Sequence, residues 1–244
     1  MQSKLYSSIS RIDSSWSDFF TPTIHKCLLD IESRIGPDYV PLTNEVLKFT
    51  QVDLNNVNVV IFGRDPYPGL VNNTPIATGR AFEVRNYSSW TQPTKNASLR
   101  NIFKLLYMNK YQKKPAIKQM RKKISNGAFK LSPPNVWFTN MEANGVLWLN
   151  TALTCKENGD PGSHVEIWKE FSKELIKFIH KNNSQITYVL WGQSRVLRPQ
   201  LKQLGVSDKK ILESDHPSST RNKQNTSFFK QNFISSIDNI KWLS

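Results

Sequence analysis

The chain has 244 residues, 38% of them hydrophobic, and its 33 Lys and Arg outnumber its 19 Asp and Glu, which gives a formal net charge of +14. This composition is sufficient for one large domain, and the lack of any apolar run of about 18 residues excludes a membrane-spanning helix. The charge favours a polyanionic partner such as nucleic acid, with generic solubility as the alternative. Two cysteines, Cys27 and Cys155, are too few for a disulfide framework or a zinc site, so we expect a reduced, intracellular setting.

The first predicted element is a helical lead-in. Apolar side chains recur at spacings of three and four residues within residues 16–50, and two prolines act as breakers. The apolar positions are Trp16, Phe19, Phe20, Ile24, Leu28 and Ile31, and the breakers are Pro37 and Pro41. We expect residues 1–50 to pack on, or extend, a main domain formed by residues 51–244.

Four short apolar runs predict buried strands at Val57–Phe62, Val146–Leu149, Ile186–Trp191 and Lys210–Leu212. Helical spacing predicts helices between them at Ser98–Tyr107 and Val165–Ile179. Ser163 and Glu166 have the spacing of a capping box, which marks the start of the second helix. This alternation predicts an α/β fold, a single-domain α/β/α sandwich whose central four-stranded parallel sheet is flanked by helices.

A strongly basic stretch, residues 109–130, lies between the predicted helix Ser98–Tyr107 and the predicted strand Val146–Leu149. Such a stretch is either a DNA-facing surface or a solvated basic loop, and its composition leaves both interpretations open.

The turns that follow the predicted strands carry polar side chains. Asp65, Asn150, Gln193 and His216 each come shortly after one of the four strands. In an open parallel sheet these turns face a common crevice, so we expect an active site there. Residue types and spacing lead no further than a nucleic-acid enzyme or a nucleotide-binding protein. The second class is disfavoured because no glycine-rich phosphate-binding motif occurs.

Three motifs resemble a known family in the right order. GRDPYPG, which begins at Gly63, resembles the GQDPYH water-activating loop of the family 1 uracil-DNA glycosylases. GVLWLNTALT around Asn150 resembles their GVLLLNT segment, and DHPSS around His216 resembles the start of their HPSPLS loop. The segments PGSHVEIWKEF and VLWGQS are also similar. The resemblance runs from about Val57 to Trp242 and implies hydrolysis of the bond between uracil and deoxyribose, the first step of base excision repair.

The resemblance also implies roles for individual residues. Phe82 matches the ring on which a flipped uracil stacks, Asn150 the amide that reads the base edge, and Tyr67 the ring that excludes the thymine methyl group. Asp65 matches the carboxylate that orients the attacking water, and His216 the imidazole that donates to uracil O2. No metal or other cofactor is needed.

Further positions are assigned to the DNA and to the pocket. Ser98 and Ser218 match serines that grip phosphates on either side of the flipped nucleotide. His164 has a weaker match and either contacts DNA or faces solvent. Arg64 stands where the family usually has Gln and is assigned to the uracil pocket. Pro68 stands where it usually has His and is assigned to the DNA surface.

The sequence departs from the family after His216. Thr220 occupies the position of the leucine wedge that fills the vacated base stack, and Arg221 follows it. Either Arg221 takes that role or duplex uracil is extruded less efficiently. The Tyr-Pro pair of Tyr67 and Pro68 and the LTCK segment around Cys155 resemble the poxvirus branch.

The poxvirus-like features leave a second interpretation open. The chain could serve chiefly as a DNA-holding clamp of a replication complex, with a polymerase-associated partner and weak catalysis. We expect a monomer that binds single- and double-stranded uracil-containing DNA and no membrane. It would act in the nucleus if it is cellular and eukaryotic, and in the cytoplasm if it is bacterial or poxvirus-like.

Overall fold

A four-stranded parallel sheet forms the centre of the computed structural model, which describes residues 2–94, 96–113, 116–219, 227–229, 233–237 and 239–243. Its strands are β2 (Val59–Gly63), β5 (Val146–Asn150), β7 (Thr187–Trp191) and β8 (Ile211–Ser214), and they lie in the order β5-β2-β7-β8. Every pairing in this sheet is parallel. Two short antiparallel pairs complete the strands: β1 (Tyr39–Val40) with β6 (Cys155–Lys156), and β3 (Leu70–Val71) with β4 (Thr74–Pro75).

Alternate side chains of the central strands enter two separate cores. Val60 and Phe62 of β2 belong to one hydrophobic cluster, and Val59 and Ile61 belong to the other. Because successive side chains of a strand point to opposite faces, the two clusters mark the two faces of the sheet. We call them the first face and the second face. Burial on both faces explains why these strands could be predicted as continuous apolar runs.

Helices cover both faces. They are α1 (Lys4–Ser7), α2 (Pro22–Ile35), α3 (Ala97–Tyr111), α4 (Ile117–Ser125), α5 (Pro134–Ala143), α6 (Val165–Asn182) and α7 (Arg198–Gln203). The buried residues of α2 and α6 pack in the cluster of the first face, and those of α3, α4 and α5 pack in that of the second. The predicted α/β/α sandwich is therefore confirmed. Within the described part of the chain, no helix is both long and apolar enough to cross a bilayer.

The lead-in is less helical than its spacing predicts. A 3-10 segment, Ser14–Phe19, precedes α2, which begins at Pro22 after the capping hydroxyl of Thr21 and ends before Gly36, where φ is 69°. Among the described residues of the lead-in, the other elements are the one-turn helix α1, the strand β1 and short 3-10 turns. Because Trp16 and Leu28 pack in the same cluster as β2, the lead-in forms part of the first face.

The predicted capping box is wrong. The hydroxyl of Ser163 accepts a hydrogen bond from the amide of Lys156 at 2.9 Å, and Glu166 pairs with Lys169 at 3.0 Å. The N-cap of α6 is His164, which makes no side-chain capping bond. The hydroxyl of Ser163 is therefore bonded to the preceding strand β6, seven residues back in the chain, and the four-residue pattern of a capping box does not reveal this contact.

The basic stretch 109–130 contains a helix, α4, in addition to the end of α3. Only Met120 of α4 is fully buried. Ile117 and Ile124 pack beside it in the same cluster, and the helix carries four cationic side chains. The interpretation as a loop throughout is wrong for this segment.

Candidate active site

A cleft of about 950 Å³ opens at the carboxyl ends of the four central strands. The turns after all four strands contribute to its walls. The residues that line the cleft include Arg64, Asp65, Tyr67, Pro68, Phe82, Asn150, Gln193, His216 and Ser218. The chain leaves β2 toward the edge strand β5 and leaves β7 toward the opposite edge strand β8. The cleft lies at the point between β2 and β7 where these connections diverge, which is the usual position of a ligand site in such folds.

The carboxylate of Asp65 is braced on both oxygens. Oδ1 accepts from Nε of Arg64 at 2.5 Å, and Oδ2 accepts from the amide of Gly162 at 2.5 Å. The side chain is only 7% exposed. Arg64 also donates through Nη1 to Oε1 of Gln193, at 2.5 Å, in the turn after β7. Three separate segments of the chain therefore fix the carboxylate in one orientation.

Asn150 faces the same turn from the neighbouring strand. It pairs in register with Gly63, and the amide of Thr151 donates to the carbonyl of Gly63 at 3.0 Å. A Cβ atom on Gly63 would collide with Oδ1, the side-chain carboxamide oxygen of Asn150. The glycine therefore leaves the space that the Asn150 amide occupies, and that side chain, 5% exposed, lies in the wall of the cleft.

An aromatic group forms the third wall. The ring of Phe82 lies 5.0 Å from that of Trp191, in an edge-to-face arrangement, and 5.9 Å from the imidazole of His216. Phe82 has φ of 67°, a conformation that costs a side-chain-bearing residue about 1–2 kcal/mol. The surrounding packing holds the Phe82 ring beside the imidazole in spite of that cost.

His216 is a neutral imidazole with its proton on Nε2. The backbone amide of Ser218 donates to Nδ1 at 3.2 Å, so Nδ1 must carry a lone pair, and the Ser218 hydroxyl lies 2.7 Å from the same nitrogen. Burial lowers the pKa of His216, the positive charge of Arg64 lowers it further, and Asp65 acts in the opposite direction. The remaining Nε2–H is a donor available to a ligand in the cleft.

Tyr67 closes the cleft near the start of α3. Its hydroxyl lies 3.4 Å from Oδ1 of Asn96, which also caps the helix by accepting from the amide of Leu99 at 2.8 Å. Burial raises the pKa of Tyr67, although hydrogen bonds to Asn96 and Ser98 lower it in part. The ring is therefore a neutral wall at physiological pH.

Ser98 and His164 do not line the cleft. Ser98, only 3% exposed, lies in the first turn of α3 behind Tyr67. His164 is 6% exposed, and its Nδ1 lies 2.9 Å from the hydroxyl of Thr154, which accepts from Nε1 of Trp168 at 2.7 Å. Neither expected alternative for His164, contact with DNA or exposure to solvent, agrees with these contacts, which bury the side chain at the N-terminus of α6. Thr220 and Arg221, the predicted wedge candidates, lie outside the described residues.

Two supporting residues were not singled out from the sequence. Gly162 donates to Asp65, and Asn101 donates through Nδ2 to the carbonyl of Pro217 at 2.6 Å. Gln193, which was expected at the rim because it follows a predicted strand, accepts from Arg64. Nothing in the local sequence indicates the contacts of Gly162 and Asn101.

Comparison with known proteins identifies the family. The uracil-DNA glycosylase of Borreliella burgdorferi is 30% identical over 242 residues, which cover 95% of this chain and 94% of that protein. The chain belongs to the uracil-DNA glycosylase family. It is therefore a glycosidase of DNA repair, and the cleft is the candidate active site of a uracil-DNA glycosylase. No family model matches the chain.

Solved structures of uracil-DNA glycosylases have the same fold. Mimivirus UNG in complex with UGI is 26% identical with a TM-score of 0.62, and the alignment covers 88% of this chain and 72% of that one. UNG from Nitratifractor salsuginis has a TM-score of 0.68 at 20% identity and covers 96% of this chain and 91% of that chain. The second likeness concerns the fold alone.

Proposed function

We propose that the cleft receives a uracil nucleotide extruded from DNA and hydrolyses its N-glycosidic bond, leaving an abasic site. One observation carries the proposal: Asp65, Phe82, Asn150 and His216, which come from four distant segments, line a single cleft. Extrusion is required because the glycosidic bond cannot be reached inside a duplex. The hydrolysis requires no metal, since a carboxylate, an imidazole and water can supply the chemistry described below.

Recognition of the base falls to three side chains. Uracil stacks on Phe82, and the carboxamide of Asn150 accepts from N3–H and donates to O4. Cytosine presents the reverse pattern of donor and acceptor on that edge and leaves both groups of the amide unpaired, which is costly in a buried site. Tyr67 fills the space that the methyl group of thymine would need. Gly63 supports this recognition because it has no Cβ atom and so leaves room for the side-chain oxygen of Asn150.

Bond cleavage separates opposite charges, and the cleft offers a partner to each. Positive charge grows on the sugar, where Asp65 stabilises it and orients the attacking water. Negative charge grows on uracil O2, to which His216 donates through Nε2–H. A neutral imidazole is suited to this task because Ser218 fixes its tautomer. Arg64 keeps the carboxylate aligned and adds positive charge near the departing base.

The DNA backbone runs along the rim of the cleft in this proposal. Ser218 and Pro68 line the opening, and Ser98 acts from behind by positioning Tyr67. We propose that single- and double-stranded DNA are both substrates, that a monomer is sufficient because all these side chains belong to one chain, and that the protein acts inside the cell, where DNA is. Residues 51–244 form the catalytic domain, and residues 1–50 complete the first face.

The test is a base-release assay. Single- and double-stranded oligonucleotides that carry one uracil are incubated with the protein, and abasic sites are then cleaved with alkali. We expect cleavage at uracil in both forms and none in matched oligonucleotides with thymine or cytosine at that position. DNA binding without any cleavage would contradict the proposal and favour the clamp interpretation.

A further inference from the structure

The positive charge of the protein is concentrated in one part of the chain. Between Glu83 and Glu142 there are twelve Lys and Arg residues and no Asp or Glu, which leaves a net charge of only +2 for the rest of the chain. This part includes α3 and α4, which cover the second face of the sheet. The net charge of +14 therefore comes mainly from one part of the chain, residues 84–141.

The exposed lysines of α4 lack acidic partners. Lys118 and Lys122 are exposed, stand four residues apart on one side of the helix, and form no ion pair among the described residues. Like charges at this spacing destabilise a helix slightly. The same pattern continues beyond the helix at Lys110, Lys113 and Lys130, which are also exposed without an acidic partner.

The helix α6 on the first face shows the opposite arrangement. Three of its four lysines pair three residues away with glutamates: Lys169 with Glu166 at 3.0 Å, Lys173 with Glu170 at 3.7 Å, and Lys177 with Glu174 at 2.7 Å. The chain therefore neutralises most of the lysines of one amphipathic helix and leaves the exposed lysines of the other uncompensated. A requirement for solubility alone does not explain why the lysines are paired on α6 and unpaired on α4, because both helices lie at the surface.

Aromatic side chains attach α4 firmly to the helix that reaches the cleft. Nζ of Lys123 lies 4.1 Å from the ring centroid of Tyr111 and 5.2 Å from that of Tyr107, both in the last turns of α3. The hydroxyl of Tyr111 donates to the carbonyl of Ala128 at 2.7 Å. At its other end, α3 carries Asn96, beside Tyr67, and Asn101, which holds Pro217. The basic surface is thus fixed relative to the cleft.

We propose that the exposed lysines of α4 and its surroundings bind the phosphates of the DNA at a distance from the flipped nucleotide. This inference rests on the proposed function, because the occupant is the same DNA. Tyr107 and Tyr111 lie ten to fourteen residues beyond the start of α3, or about 15–20 Å along the helix axis. That distance corresponds to about five nucleotides of one strand at about 3.4 Å each. The surface strengthens binding to long DNA without taking part in the chemistry.

The experiment compares two double variants of equal charge. K118Q/K122Q removes the two exposed lysines of α4, and K26Q/K181Q removes two exposed lysines on α2 and α6, which cover the first face. Uracil release is measured on a single strand of about four nucleotides and on a duplex of about 25 base pairs, since only the second can span the distance given above. Melting temperatures check that both variants are folded.

For K118Q/K122Q we expect a rise of about tenfold in KM on the long duplex, and a log–log salt dependence whose slope is smaller by about 1.8, because each lost phosphate contact contributes about 0.9. Its kcat, and its activity on the short strand, should equal those of the parent. K26Q/K181Q should match the parent throughout, and K118R/K122R should restore binding because it retains both charges.

Equal behaviour of the two glutamine variants on the long duplex would overturn the proposal. So would a loss that is as large on the short strand as on the long duplex. Weaker binding to an RNA of the same length with unchanged binding to DNA would also overturn it, by identifying RNA as the occupant. If the parent released no uracil from either substrate, the proposed function itself would be wrong, which is a distinct outcome.

Discussion

The two catalytic groups of the cleft, Asp65 and His216, are held in different ways. Asp65 is fixed by long-range contacts, from Gly162 in the segment before α6 and through Arg64 from the turn after β7. His216 is fixed mainly by Ser218, two residues further along the chain. The water side of the site therefore depends on the tertiary structure of the whole domain, and the leaving-group side depends largely on the conformation of one short loop. The following variants test this difference.

The largest effect is expected at the water side. Asp65→Asn should lower the rate of uracil release by about two orders of magnitude or more, within the range of general acid–base contributions. The carboxamide has one acceptor oxygen, whereas both oxygens of Asp65 accept hydrogen bonds. Single-turnover kinetics measure the rate, and filter binding to uracil-containing DNA should show little change. A variant with near-parental rate would remove Asp65 from its assigned role.

The second variant moves the imidazole. A Cβ atom on Gly192 would lie 2.7 Å from Cβ of His216, at a φ of 65°. Gly192→Ala should lower kcat by about tenfold to a hundredfold, since displacement of a catalytic group by about 1 Å has effects of this size. Gly36→Ala is a matched control, because Gly36 has a similar φ of 69° and no neighbour within 4 Å.

Both glycine variants should lose about 1 kcal/mol of stability from backbone strain, measured by urea denaturation. Only Gly192→Ala should lose activity. A comparable loss of activity in both would show that stability, and not the position of His216, is responsible.

The third variant tests the electrostatic link between the two ends. Arg64 lowers the pKa of His216, so Arg64→Gln should raise it and shift the acid limb of the kcat profile to higher pH. Below that limb the imidazole is protonated and Nδ1 can no longer accept from Ser218. We expect an additional loss of kcat of about fivefold at mildly acidic pH, as for one partly exposed charge pair. At alkaline pH this part should recover, and only the effect of the lost bond from Arg64 to Asp65 should remain.

Arg64→Lys retains the charge and should keep the parental profile. The titration of His216 can be followed directly by NMR of its ring protons. An unchanged midpoint in Arg64→Gln would show that the charge of Arg64 does not reach the imidazole.

The smallest effect is expected from Ser218→Ala. The variant loses the hydroxyl contact with Nδ1 but keeps the backbone amide that fixes the tautomer. A typical hydrogen bond contributes about 0.5–1.5 kcal/mol, so we expect kcat to fall by about twofold to tenfold. Steady-state kinetics on a short single strand isolate this effect. A loss as large as that of Asp65→Asn would mean that the loop is held by the hydroxyl alone.

The sequence predicts those features that depend on local pattern. The strands β2 and β5 were predicted within two residues because they are buried on both faces, and the carboxyl-end turns followed from that assignment. The helix α4 was missed although Ile117, Met120 and Ile124 recur at helical spacing, because four cationic side chains among nine residues are also typical of a solvated loop. The capping box was wrong because Ser163 bonds to β6.

Prediction of the site shows the same limit. The turn residues that line the cleft could be named because they follow strands or match motifs. The bond from Gly162 to Asp65 joins positions 97 residues apart, and the bond from Arg64 to Gln193 joins positions 129 apart. Contacts of this kind depend on how crossover segments pack, which the periodicity of a single chain does not specify.

The sheet order has a consequence for how the enzyme fails under mild stress. Asn150 ends β5 and His216 follows β8, and these are the two outer strands, whereas Asp65 follows the inner strand β2. Outer strands fray at lower free energies than inner ones. Low denaturant should therefore first abolish the discrimination of uracil from other bases, while most of the secondary structure persists. Inactivation and global unfolding would then have separate midpoints.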